Sequence, residues 1–329
     1  MTPLEWNVLV VLIAVAIDLL FGEPPNRLHP VAWMGLLIGL LKRKCPVESW
    51  FPCLLWGFGI VAIGVVGLGF LGYVIESISQ PSTMPQAFGG KANTFAFFGS
   101  LAVNACLLKC CFGIRSLEKA ANTVYQALKA GDLGEAKRCL SYHLVSRDVQ
   151  QLDATQVSAA TIESVAENTS DSVVAPLFFY FLAGLPGALI YRYVNTCDAM
   201  LGYRTDRLQW LGKFSARTDD VLNLVPARFT VALMMLSSLL SPGRVAEAIR
   251  IWWTDSGRTS SPNAGHPMSA AAGLLGVRLE KEGQYVLGSD LAEPSVDDIA
   301  AMNSLFRRTV FAAVAVAAVA CLVTGRLYF

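Results

Sequence analysis

The sequence predicts an all-α, polytopic integral membrane protein with about five transmembrane helices, in a range of roughly four to seven, and helical polar loops. Three observations carry that prediction. Hydrophobic residues fill 54% of the chain before glycine is counted, against about 45–50% with glycine included in soluble domains. Charged residues fill only 16%, where a soluble domain carries about 25%. Several runs with no charge, or nearly none, approach the roughly 20 residues that a helix needs to cross the hydrocarbon core.

The first apolar run, residues 8–21, contains Asp18 and follows no basic segment, so it reads as a retained segment and not a signal peptide. A shorter run at 30–41 is followed by Lys42, Arg43 and Lys44, which belong on the cytoplasmic side. Residues 51–75 are uncharged and glycine-rich, residues 95–114 carry only Lys109, and residues 310–327 are rich in Ala and Val. These three qualify most simply as spans, and their small residues suit close helix contact. Residues 174–193 are apolar but interrupted by Gly184-Leu-Pro-Gly187, a break that fits a re-entrant hairpin sheltered by protein or a wet cavity. Residues 225–241 form one more ambiguous run.

The chain reads as a single integral membrane domain, 1–329, with three polar regions at 115–173, 195–223 and 242–308. In the first, Leu117, Ala121, Val124 and Leu128 form one helical stripe, Gly131-Asp132 makes a turn, and a second helix starts near Glu135. Strict alternation of spans would scatter the polar regions over both faces, so their cooperation requires one ambiguous run to be a hairpin.

Composition and motifs exclude several function classes. A net charge of +1 gives no basic footprint for nucleic acid. The eight cysteines include no CxxC pair and read as reduced thiols, mostly buried. A GxxxxGK[ST] phosphate loop, a GxGxxG turn, HExxH and GxSxG are all missing.

The most informative stretch is Thr161-Ile-Glu-Ser-Val-Ala-Glu-Asn-Thr-Ser-Asp171. Glu163, Glu167 and Asp171 are spaced four and four, on one face of a helix, and no Lys or Arg occurs between Arg147 and Arg192. Hard oxygen ligands beside Asn168 suit Mg²⁺ bridging to a phosphorylated substrate; a solvated acidic face is the competing reading. A second cluster, Arg217-Thr-Asp-Asp-Val-Leu-Asn223 with Arg228, offers Asp219 and Asp220 as a metal site or general base and the arginines as phosphate forks, or else a helix cap with interfacial charge pairing. Asn195, Asp198 and Arg204 add amide, carboxylate and guanidinium groups near a membrane end, and Ser261-Pro-Asn263 forms a turn whose backbone N–H groups could cradle a phosphate or simply join two helices. Asp18 in an apolar run is a functional candidate by default, and His29 is an acid/base candidate or a structural turn residue.

These segments in order, Asp18 to Val31, Arg147-Asp148, Ile162 to Asn168 with Asp171, Ala175-Pro176, Asn195-Thr196, Gly202-Tyr-Arg204, Asp219-Asp220 with Asn223 to Arg228, and Ser261 to Gly265, resemble the cobalamin biosynthesis proteins CobD/CbiB, the adenosylcobinamide-phosphate synthases. The likeness is collinear over nearly the whole chain. It implies a multi-pass protein of the cell inner membrane, its site facing the cytoplasm, that joins aminopropanol or its phosphate to adenosylcobyric acid through an amide, with ATP and Mg²⁺. Adenosylcorrinoid is then the substrate, and contact with other cobalamin-assembly membrane proteins, as well as lipid, is expected. Carried onto these positions, Glu163, Glu167 and Asp171 would hold Mg²⁺, and Asp219 or Asp220 would take the amine proton. Arg204, Arg217 and Arg228 would bind phosphate or propionate, with Arg147, Asp198, Ser261 and His29 also at the substrate. Asn168, Asn195, Asn223 and Asn263 would orient amides.

This sequence departs from the family pattern at Cys197, Ala199 and Val149, and at Glu280-Lys-Glu, where a glycine pair is expected. Two other classes compete. One is a Mg²⁺-dependent membrane transferase acting on a prenyl or lipid diphosphate. The other is a transporter with its site at the Gly184 break, although most polar candidates flank the apolar runs and so favour an enzyme.

Overall fold

The computed structural model describes residues 3–46, 49–79, 90–202 and 209–327. Arg204 lies outside the described residues. Twelve helices are described: α1 (Pro3–Phe21), α2 (Pro30–Arg43), α3 (Trp50–Ser79), α4 (Gly90–Lys109), α5 (Ile114–Lys129), α6 (Leu133–His143), α7 (Ala154–Thr169), α8 (Ala175–Leu201), α9 (Lys213–Leu236), α10 (Pro242–Asp255), α11 (Gly265–Leu275) and α12 (Val296–Leu327). A π turn, Ser170–Val174, joins α7 to α8, and a two-stranded antiparallel hairpin, β1 (Leu279–Lys281) and β2 (Tyr285–Leu287), precedes α12.

Local chemistry sets several boundaries. His29 Nδ1 accepts from Val31 N at 3.2 Å to cap α2, with Pro30 in the first turn. Gly131 adopts φ 76° to end the α5 turn, and the Asp132 carboxylate then caps α6 by accepting from Glu135 N at 2.9 Å. A reciprocal capping box between Asp153 and Gln156 starts α7.

Among the described residues five helical runs are long and apolar enough to cross a bilayer: Leu4–Phe21, Trp50–Ser79, Thr94–Lys129, Ala154–Leu201 and Val296–Ala320. The protein is a polytopic helical membrane protein, as composition predicts. α2, with 14 residues, is too short to span by itself, since a crossing needs about 20, and residues 225–241 fall mostly in α9, which is not among the five.

The chain divides into two compact units. Unit 1 is Met1–Gly113, Ala175–Leu222 and Ala317–Phe329; unit 2 is Ile114–Val174 and Asn223–Val316. In unit 1, α3 packs on α8 and α1 on α4. The glycine-rich run makes the first contact possible, because Gly64 lies against the Tyr193 ring and Gly72 against Pro186.

The fourth apolar run does not pass straight through. Ala183 and Gly184 leave helical geometry, Gly184 at φ 63° and ψ −157°, and the rings of Phe179 and Tyr191 stack with centroids 5.2 Å apart. A straight helix would separate residues twelve apart by about 18 Å. α8 therefore doubles back at Gly184, and Glu76 of α3 accepts from the freed Leu185 N at 3.2 Å. The apolar stretch on either side of the break is about ten residues, roughly 15 Å, or half the hydrocarbon thickness. This is the hairpin that the Gly/Pro break leads one to expect.

In unit 2, α5, α6 and α11 pack against α7, α10 packs on α11, and β1 lies against α7. The predicted stripe Leu117, Ala121, Val124 and Leu128 is buried throughout. Sequence patterning gave no sign of the β-hairpin, whose first strand holds the Glu280 departure.

Among the described residues every cysteine characterised is a free thiol; Cys53, Cys111, Cys139 and Cys197 are buried, whereas Cys106 is exposed.

Candidate functional site

The acidic stripe of α7 opens onto a cavity of about 190 Å³ in unit 2, lined by Ser146, Arg147, Glu163, Ser164, Glu167, Lys281 and Tyr285, among others. Three pieces of chain build it. α7 supplies Glu163 and Glu167 one turn apart, the segment after α6 supplies Arg147, and the β-hairpin supplies Lys281 and Tyr285. Ser164 Oγ donates to Leu144 O at 2.8 Å and so ties the Arg147 segment to α7.

Two carboxylates and two cations thus share a small space. Glu163 is only 5% exposed. Its Oε2 lies 3.7 Å from an Arg147 guanidinium nitrogen, while its Oε1 is buried with no hydrogen-bond partner. The Tyr285 hydroxyl is pushed well above its ordinary pKa, by burial first and then by the charges of Glu163 and Glu167, so it stays a neutral donor facing them. Ligand pockets for drug-sized molecules run to about 300–1,000 Å³. A cavity of this size has room for a group as small as a phosphate, not for a macrocycle.

The three expected metal ligands are not gathered at one point. Among the described residues no group of three or more His, Cys, Asp or Glu side chains comes together to hold a metal ion. Asp171 sits in the π turn, beyond the end of the regular i, i+4 row at Thr169, and does not line the cavity. Glu163 and Glu167 still fit Mg²⁺ in the mode where one or two carboxylates share the ion with a substrate phosphate, and the unsatisfied Glu163 Oε1 is the atom that such an ion would serve. Asn168 is engaged along its own helix: its amide nitrogen donates to Ser164 O at 2.9 Å, and its oxygen accepts from Ser172 Oγ at 2.9 Å.

Unit 2 also holds Asn223, Arg228, Ser261 and Asn263. Asn223 and Asn263 are buried. Ser261 Oγ accepts from Asn263 N at 3.2 Å and Ala264 N at 3.3 Å, so the turn spends these two N–H groups internally. Arg228 donates to Leu224 O at 2.7 Å and lies close enough to His266 to help hold its pKa down, after burial, to about 4. The unprotonated His266 Nδ1 accepts from Trp252 Nε1 at 2.8 Å.

Unit 1 gathers the remaining candidates in two places. At one, Asn195 of α8 donates to Asp219 of α9 at 3.4 Å, and Asp220 lies 3.7 Å from Arg217. Asp198 feels the charge of Asp220. At the other, buried Lys109 holds Asp18 at 3.1 Å and Glu23 at 2.5 Å, and His29 Nε2 lies 2.9 Å from the same Glu23 oxygen. Burial works to raise the Glu23 carboxyl, and its hydrogen bonds to His29 and Lys109 overcome this, so it sits below the usual carboxylate range. Asp18 and His29 are thereby joined to one charge network. Lys109, Lys281 and Tyr285 escaped sequence reading, because each acquires its meaning only from partners far along the chain.

Fold and site together define a polytopic helical membrane protein with a cavity of paired carboxylates and cations. The CobD/Cbib protein family model matches residues 11–317, and the chain belongs to that family. It is 40% identical over 285 residues to the cobalamin biosynthesis protein CobD of Dehalococcoides mccartyi, covering 86% of this chain and 87% of the relative. It is 41% identical over 282 residues to a probable cobalamin biosynthesis protein CobD of Methanothermobacter thermautotrophicus, with 86% and 87% covered. With cobalamin biosynthesis protein CobD of Klebsiella pneumoniae it shares 35% identity over 311 residues, 91% of each chain. No solved structure matches.

Proposed function

We propose that the protein acts in cobalamin biosynthesis as an ATP-dependent amide ligase, joining aminopropanol or its phosphate ester to adenosylcobyric acid to give adenosylcobinamide or its phosphate. The names of its relatives support the biosynthetic part of this reading. The observation that carries the ligase part is the pairing of Glu163 and Glu167 with Arg147 and Lys281 in one small cavity.

An amine does not displace oxygen from a free carboxylate, so the acid must first be converted to a better electrophile, and ATP supplies the phosphoryl group for that. Arg147 and Lys281 neutralise phosphate oxygens, since cations placed where phosphate charge develops are worth most in a site of low dielectric. Glu163 and Glu167 hold Mg²⁺, which supplies further charge neutralisation when bound. Tyr285, kept protonated, orients the carboxylates or the phosphate. The substrate amine attacks only once its ammonium has lost a proton, for which Asp219 or Asp220 is the proposed base, and phosphate leaves as the C–N bond forms; Arg217 lies 3.7 Å from Asp220. The enzyme works in the cell inner membrane, with Lys42, Arg43 and Lys44 marking the cytoplasmic side from which ATP arrives.

Glu167→Gln tests the reading. It removes one negative charge with little change of shape, so the variant inserts and purifies normally but ligates no amine, and EDTA stops wild-type turnover until Mg²⁺ is restored. Wild-type turnover in Glu167→Gln, or turnover that EDTA leaves untouched, removes the metal-holding role.

A further inference from the structure

Arg192 has no place in the chemistry above, yet its surroundings are unusual for a cation. It lies on the second arm of α8, eight residues beyond the Gly184 break. Its Nε is buried with no hydrogen-bond partner. Its Nη1 makes one long bond, 3.5 Å, to Asn195 Oδ1. Among the described residues no carboxylate forms an ion pair with it. A guanidinium carries five N–H donors in a planar fork, and a charged side chain in an apolar segment normally pairs with an opposite charge. Arg192 is only partly buried, and its terminal nitrogens, unlike Nε, are not enclosed without a partner, so an outside group meets the guanidinium at its Nη edge.

We propose that Arg192 and Asn195 form an oxyanion-binding site in unit 1, and that its ligand is the free carboxylate of the acid substrate; the identity of that acid rests on the ligase reading, while the anion site does not. The planar fork matches a two-oxygen anion. Asn195 Nδ2 contacts Asp219 Oδ1 at 3.4 Å, which places a negative charge one side chain away and favours a singly charged carboxylate over a phosphate dianion. The site also brings the bound acid close to Asp219, a candidate base. Arg192 is then a positioning residue for the acyl group.

The test uses the full-length protein in detergent, as wild type, Arg192→Gln and Arg192→Lys. Thermal unfolding is followed with added propionate, inorganic phosphate, or chloride at matched ionic strength. Propionate raises the wild-type midpoint more than phosphate does, and neither acts on Arg192→Gln beyond chloride. Binding of adenosylcobyric acid, which has the free carboxylate, is compared with that of adenosylcobinamide, in which the carboxylate is an amide. Arg192→Gln weakens the acid about tenfold or more, the loss expected of a broken charge-assisted bidentate contact, and leaves the amide within about twofold. Arg192→Lys keeps the charge without the fork and falls between, which decides the matter if Arg192→Gln does not fold. Equal losses for both corrinoids, or none, overturn the carboxylate assignment, and a phosphate effect that exceeds propionate reassigns the site to phosphate. If the wild type binds neither corrinoid the ligase reading fails, and the propionate arm alone then upholds or sinks the anion site.

Discussion

The glycine-rich helix α3 offers a sharp test of the packing. Gly57, Gly59, Gly64, Gly67, Gly69 and Gly72 look alike in the sequence, but the structure separates them. A methyl group on Gly64 would strike the ring of Tyr193, a fully buried side chain whose hydroxyl donates to Ile60 O at 2.9 Å. On Gly72 it would lie 2.8 Å from Pro186 Cα, backbone that cannot step aside. On Gly59 or Gly67 it would meet nothing within 4 Å. Overpacking costs about 1–3 kcal/mol, and driving Tyr193 off Ile60 strands a buried hydroxyl for about 1–3 kcal/mol more. Gly64→Ala, which carries both penalties, should therefore lose about 2–6 kcal/mol and Gly72→Ala, which carries only the first, about 1–3 kcal/mol, or melting points roughly 3–9 °C and 1–4 °C lower in a chain of this size. Gly59→Ala and Gly67→Ala should match the wild type or gain up to about 1 kcal/mol from the helix propensity of alanine. The assay is thermal unfolding of detergent-purified variants by intrinsic fluorescence. Equal effects at all four positions would refute the α3–α8 contact.

Two further outcomes follow from the charged groups. Lys109→Met leaves Asp18, which is fully buried, without its cation and should cost about 3–5 kcal/mol; the double variant with Asp18→Asn should recover much of that loss in denaturant titrations, and a purely additive double would show that the pair is not coupled. His266 is held from its ordinary 6.5 down to about 4, so the unfolded chain binds a proton before the folded one does. Its contribution to stability is complete above about pH 6.5 and is lost as pH falls toward 4, worth on the order of 1 kcal/mol for a half-exposed ring after allowance for solvent screening. Acid unfolding of His266→Gln should be correspondingly flatter over that range, and an unchanged pH profile would contradict the burial of His266 beside Arg228.

What could be read from the sequence was what local periodicity and punctuation encode. The α5 stripe, the Gly131-Asp132 turn and the doubling back at Gly184 each depend on residues within a dozen positions. Glu163 and Glu167 were legible as a pair for the same reason. The rest depends on contacts across the chain. Lys109 finds Asp18 and Glu23 some ninety positions away, and Lys281 and Tyr285 come to the cavity on strands of three residues, too short to leave an alternating pattern. The position of Asp171 away from the cavity was not legible, because regular spacing does not reveal that the α-helix gives way to a π turn at Ser170.

Ligation itself is read from product formation. Detergent-purified protein is given adenosylcobyric acid, aminopropanol phosphate, ATP and Mg²⁺, each omitted in turn, and the corrinoids are followed by mass spectrometry. An amide product is expected only when all four are present, and it is lost in Glu167→Gln. An amide formed without ATP, or a folded protein that binds the corrinoid and never ligates it with any aminopropanol offered, would contradict the ligase reading.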